Sequence, residues 1–142
     1  MAPPELEPVN PFPPNVHAAF RSYISSDGYI NRDRVSHDKY VLYQVYFDAP
    51  DTKANNQIES RAKHEAFTNF EVEDGVLYRQ RKLPKHPERR IVITGNDVWS
   101  VYTSTHLRLG HAGRDAMFYE LEKKYYGVSR AECQWVKDHC CI

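Results

Sequence analysis

Cysteine is scarce in this 142-residue chain: there are three, all after position 132, and two of them are adjacent. That is too few for a disulfide framework. Neighbours such as Cys140 and Cys141 are also poorly placed to bridge one another. The count suits a reducing compartment. No apolar run approaches the ~20 residues that a membrane-spanning helix needs, and the proline-rich, acidic N-terminus has no apolar signal segment. These absences predict an intracellular, soluble chain with no membrane partner. Catalytic pairing is missing too. His37 and Asp38, like His64 and Glu65, are neighbours in sequence, and such neighbours do not face each other on a helix. The chain is read as non-enzymatic.

Net charge is also absent, with 19 basic and 19 acidic residues, but the charge is segregated. Residues 1–78 carry 7 Lys/Arg against 12 Asp/Glu, and residues 79–142 carry 12 against 7. A basic half invites a polyanion partner. The length suits one ordinary domain or two small subdomains sharing a core.

Six of the nine prolines fall in residues 1–14, which predicts a disordered tail. Residues 15–68 are expected to form a helical extension. Asn15 is placed to cap a helix carrying Val16, Phe20 and Ile24. Residues 40–47, YVLYQVYF, suit either a buried strand or a helix, and periodicity alone does not decide. Asp51 or Thr52 is expected to cap a further helix through Phe67, with Ile58, Ala62 and Ala66 at steps of four. Residues 69–142 are expected to hold a β element and a helical module. Asp74-Gly75 is a hairpin signal between two alternating runs, and RIVIT, 90–94, is a third strand. A helix from Asn96 or Asp97 delivers His106. Another runs from Gly113 to Tyr126 and is closed by Gly127. Ser129 and Glu132 form a capping-box pattern for a last helix through Cys140. The fold class is α+β.

His106 and His111, followed by Cys140 and Cys141, are a zinc-ligand inventory, because imidazole nitrogen and thiolate sulfur are what structural zinc sites take. A spacing of five separates two helical residues by ~140°. Both imidazoles reach one ion only if the chain turns at Leu109-Gly110. Cys133 lies ~10.5 Å of helical rise from Cys140, too far to share an ion, and is read as core. The fourth ligand is Cys141, a residue beyond Ile142, or water. Spacing alone leaves the alternative that both histidines are ordinary polar residues near a turn.

The stretch from Thr105 to Ile142 resembles the HHCC zinc-binding domain of retroelement integrases, especially the gypsy-type LTR retrotransposon form. The resemblance is carried by His106, Gly110-His111-Ala112-Gly113, the aromatic pair Tyr125-Tyr126, then Val136 and Cys140. DGVLYR, 74–79, and RIVIT are similar to the small β element that precedes this module. Gly127-Val128 stands where the family commonly has Trp-Pro, and the second cysteine of its C-x2-C would fall at 143. The resemblance implies a Zn2+ site at His106, His111, Cys140 and Cys141. It also implies a non-catalytic role in binding double-stranded DNA, in homo-oligomer assembly, or in both, and the same fold serves nuclear transcription regulators. The expected nucleic-acid contacts are Arg79, Arg81, Lys82, Lys85, Arg89 and Arg90 in one basic stretch, with Arg114, Lys123 and Lys124 on the helices. The competing expectation is a protein–protein interaction or oligomerisation module without DNA affinity; a chromatin-associated protein is a further expected partner.

Overall fold

The computed structural model describes residues 11–141. The proline-rich stretch at 1–10 therefore lies outside the described residues. At 11–14 the chain is ordered rather than tail-like. Phe12 is buried, and Pro14 opens helix α1 (Pro14–Ile24) after Pro13, which stands at the N-cap two residues before the expected Asn15. Proline suits this place because the first helical N–H has no intrahelical partner to lose.

Helix α2 (His37–Asp48) settles the ambiguous aromatic run. Ser36 caps it by accepting from the Lys39 N–H. Tyr43 and Tyr46 turn inward and are buried. Helix α3 (Gln57–Asn69) starts later than expected, because Asn56 rather than Asp51 or Thr52 accepts the first-turn N–H, from Glu59. Strands β1 (Phe70–Glu73) and β2 (Val76–Arg79) form the expected hairpin. Asp74 and Gly75 both have positive φ, 52° and 76°, as a two-residue turn matched to strand twist requires. Strand β3 (Arg90–Val92) follows, then helix α4 (Val98–Arg108).

Helix α5 (Arg114–Glu122) stops four residues short of the expected end. Tyr125–Tyr126 instead form strand β4, parallel to β3, with Ile91 opposite Tyr125 and Val92 opposite Tyr126. Leu121 and Tyr125 have helical spacing, but sheet pairing claims the tyrosines. Helix α6 (Arg130–Asp138) is the last element among the described residues and stops before Cys140. The sheet order is β1-β2-β3-β4.

Two apolar clusters hold these elements. One joins Phe12, Val16 and Phe20 from the N-terminal stretch to Ile93, Val98, Tyr102, Met117, Leu121, Cys133 and Val136. The other packs α2 and α3 on the inner face of the sheet through Tyr43, Ala62, Ala66, Phe70, Leu77 and Val92. The first cluster therefore takes α1 into the same core as the three C-terminal helices.

Candidate metal centre

Helix α4 carries His106 on its inward face in its last turn, where only 1% of the residue is exposed. The helix then ends in a Schellman motif. Gly110 N–H donates to Leu107 O at 3.0 Å and His111 N–H to His106 O at 2.8 Å. Gly110 has φ 67° and His111 φ 63°. A non-glycine residue in the left-handed region is uncommon and costs on the order of 1 kcal/mol. That conformation folds His111 back toward His106, with ring centroids 5.2 Å apart. The turn expected at Leu109-Gly110 is thus present, and it does what the spacing demanded.

Cys140 arrives from the other side, just after α6. His111 Nδ1 lies 3.3 Å from its Sγ. One ligand atom from each of His106, His111 and Cys140 lies within 4.8 Å of the others, close enough to bind one metal ion. A nitrogen and a sulfur on one tetrahedral zinc would be ~3.6 Å apart, so the His111–Cys140 edge is already near that length. Cys141, the fourth expected ligand, is exposed and stands outside this group. Its backbone N–H donates to Pro11 O at 3.0 Å.

His106 carries the test of fit. Its Nδ1 lies 2.9 Å from the Ala112 carbonyl oxygen, which assigns the proton to Nδ1 and leaves the Nε2 lone pair free. That Nε2 is buried with no hydrogen-bond partner among the described residues. Buried polar atoms are nearly always paired, and a ligating histidine characteristically donates its other ring N–H to a carbonyl or carboxylate. Burial first, then the charge of neighbouring His111, holds the His106 imidazole below its ordinary pKa, while the Ala112 carbonyl opposes this. The neutral, ligating form is favoured. The three residues fit a metal ion.

The basic residues are dispersed. Arg89 pairs with Glu73 and Glu71 and stacks on Tyr78, 3.9 Å from the ring. Lys85 lies 3.9 Å from Glu122, and Arg114 3.2 Å from Asp115. Lys123 sits over the Tyr119 ring at 3.8 Å. Arg81, Lys82 and Lys124 are exposed. Arg79 and Arg90 do not share that outer surface; they face the inner side of the sheet with Phe70 and Tyr126.

Sequence reasoning missed Glu132. Its carboxylate is fully buried and accepts from Arg34, Tyr29, Asn31 Nδ2 at 3.3 Å and Tyr102 Oη at 2.7 Å. The Ser129 side chain accepts from Glu132 N–H as a cap should, at 3.2 Å. The reciprocal half of the box is replaced, because Ser129 N–H donates to Tyr102 Oη at 3.0 Å. Burial, then the Glu132 charge, pushes the Tyr102 phenol well above its ordinary pKa and keeps it a donor. A glutamate at the third position of the helix, beside apolar Cys133 and Val136, was the available signal; its partners at 29–34 lie far away in sequence.

No family model matches the chain, and neither a curated protein nor a solved structure does.

Proposed function

We propose that the chain is a non-catalytic zinc-binding module that binds double-stranded DNA or assembles with partners on it, as its resemblance to the N-terminal domain of retroelement integrases implies. The observation that carries the metal part is the orphaned, buried Nε2 of His106 beside His111 and Cys140. Two imidazoles and one thiolate favour zinc over the hard, oxygen-seeking cations. The fourth position falls to Cys141 after the segment following α6 turns inward, to a residue after Ile142, or to water. The DNA part is supported by the basic bias of residues 79–142 and by exposed Arg81, Lys82 and Lys124. A nuclear role as a domesticated chromatin or transcription regulator belongs to the same reading.

Zinc measured per purified chain tests the first part. About one ion is expected, and it should be lost in His111→Ala and Cys140→Ser. Absence of zinc from the parent removes the metal reading. Duplex binding at two salt concentrations tests the second. Affinity should fall with salt at a slope of about −0.9 per phosphate contact, and Arg81→Glu with Lys82→Glu should weaken it. Flat binding indifferent to those changes favours the other reading, an interaction or oligomerisation module without DNA affinity. One observation supports that alternative: α2 leaves Val41 and Val45, one turn apart, 47% and 43% exposed.

A further inference from the structure

Arg79 and Arg90 sit directly opposite each other on adjacent antiparallel strands. Like charges in that position are destabilising. They also share the inner face of the sheet, since Arg79 is opposite Phe70 and next but one to buried Leu77, while Arg90 is next but one to buried Val92. Both guanidiniums lie against the Tyr126 ring, at 5.1 and 5.2 Å, and Arg79 also covers Phe70 at 5.3 Å. Neither makes an ion pair among the described residues. Arg90 Nε is buried with no hydrogen-bond partner among them. The carboxylates nearby are engaged elsewhere. Asp33 accepts from Tyr126 Oη at 3.5 Å, Glu65 accepts from Tyr43 Oη at 2.7 Å, and Glu122 lies near Lys85 and His86.

Two clefts open beside the pair. Arg90 lines one of about 500 Å3 together with Lys85, Arg130 and the Glu122 carboxylate. Arg79 lines another of about 210 Å3 together with Arg32, Arg34, Lys39 and the Glu65 carboxylate. Asp33 lines both, so the two clefts adjoin at that residue, with one arginine of the pair in each. Two unpaired guanidiniums, an unmet donor and an excess of cations along recessed walls describe a site short of one compact anion. A planar fork with several donors matches the oxygens of phosphate. Both arginines are half-buried on the inner face of the sheet, which suits one protruding group rather than the continuous backbone of a duplex.

We propose that Arg79 and Arg90 form a binding site for a phosphate monoester dianion, free or carried on a nucleotide. The site is independent of the metal centre and of duplex binding through the exposed basic residues. The pair is kept despite its mutual repulsion because a dianion resolves it, which is the usual trade between stability and function.

The test is calorimetric titration of the whole protein in phosphate-free, low-salt buffer with inorganic phosphate and with adenosine 5′-monophosphate. One saturable site per chain is expected. Arg79→Met and Arg90→Met should each weaken it about tenfold or more, as loss of a charge-assisted fork does. Arg89→Met, on the outer face, should leave it unchanged. Equal affinity for the two ligands identifies the free ion as occupant, and tighter uptake of the nucleotide identifies a nucleotide. Melting supplies the control. Without ligand, Arg90→Met should melt at or above the parent, and added phosphate should raise only the parent's midpoint. Absence of saturable uptake, or uptake that both variants retain, overturns the site. Displacement of bound phosphate by a duplex with 5′-hydroxyl ends overturns the monoester assignment.

Discussion

Arg34→Met should be among the most damaging single changes in this chain. Arg34 is the cation paired with the Glu132 carboxylate, whose side chain is 0% exposed. It also donates twice to the Gly127 carbonyl, from Nε at 3.1 Å and from Nη2 at 2.6 Å. Methionine fills much of the same volume but removes the charge and every donor. Breaking a buried pair from one side leaves the other charge uncompensated and costs about 3–5 kcal/mol. A chain of this length has roughly 7–20 kcal/mol of total stability, so the loss is a large share. With a urea dependence of about 1–3 kcal/mol/M, the unfolding midpoint should drop by about 1–5 M. The Tyr29, Asn31 and Tyr102 donors remain, which sets the cost inside that range rather than above it. The double variant Arg34→Met/Glu132→Gln separates charge from packing. Removing the stranded carboxylate should recover part of the loss, giving a coupling above about 1 kcal/mol. A single-variant cost below about 1 kcal/mol, or a double variant no better than the single, refutes the idea that Arg34 prevents an unpaired buried charge.

Other consequences follow from single residues. Cys133 is buried, and burial pushes its thiol up to about 12. A thiol reagent at mild alkaline pH should therefore label Cys140 and Cys141 in metal-free native protein and reach Cys133 only after denaturation. Gly127 has φ 108°, and a Cβ there would lie 3.2 Å from Ile93 O, so Gly127→Ala should cost roughly 1–3 kcal/mol in denaturant melts. The Glu65 carboxyl is held below its ordinary pKa, first by the Tyr43 hydroxyl and then, against burial, by Lys39. Its stabilising contribution is present above the unfolded-state pKa of about 4.3 and fades as pH falls through the lower folded value. Glu65→Gln should accordingly be less stable than the parent at neutral pH, with the gap closing in acid.

What the sequence made legible was local. The Asp74-Gly75 turn, the Ser129 cap and the His106–Gly110–His111 bend are each specified within a few residues, and each is present. What it hid depends on distant partners. Tyr125 and Tyr126 continue a helical spacing from Leu121, and only parallel pairing with Ile91 and Val92 makes them a strand. Glu132 satisfies a capping pattern on its own, while its burial is decided by Arg34, which lies 98 positions upstream. The YVLYQVYF run has Gln44 as its one strongly polar residue, so no period distinguishes helix from strand until Tyr43 and Tyr46 find their core. The inward turn of Arg79 and Arg90 is invisible in a stretch that reads simply as basic, because facing is set by register and not by composition.

The same distinction locates where a metal acts. His106 is fixed before any ion arrives. Its helix is packed by Val98 and Tyr102, its Nδ1 is held by Ala112, and Phe12 lies 6.0 Å from its ring. The N-terminal stretch is part of that framework: Phe12 also packs on Trp99 at 5.2 Å, and Pro11 holds the Cys141 backbone. His111 and Cys140 are different. Both are half-buried, one on a turn held in a costly left-handed conformation and the other on the segment after α6. Metal-binding free energy becomes folding free energy only for segments that the remaining contacts leave undecided. Here those segments are the 109–113 turn and residues 139–141, not the helices, whose core is closed by apolar side chains and the buried Glu132 network without any metal. A metal at this site would therefore set the geometry of a turn and of the segment after α6 on a preformed scaffold.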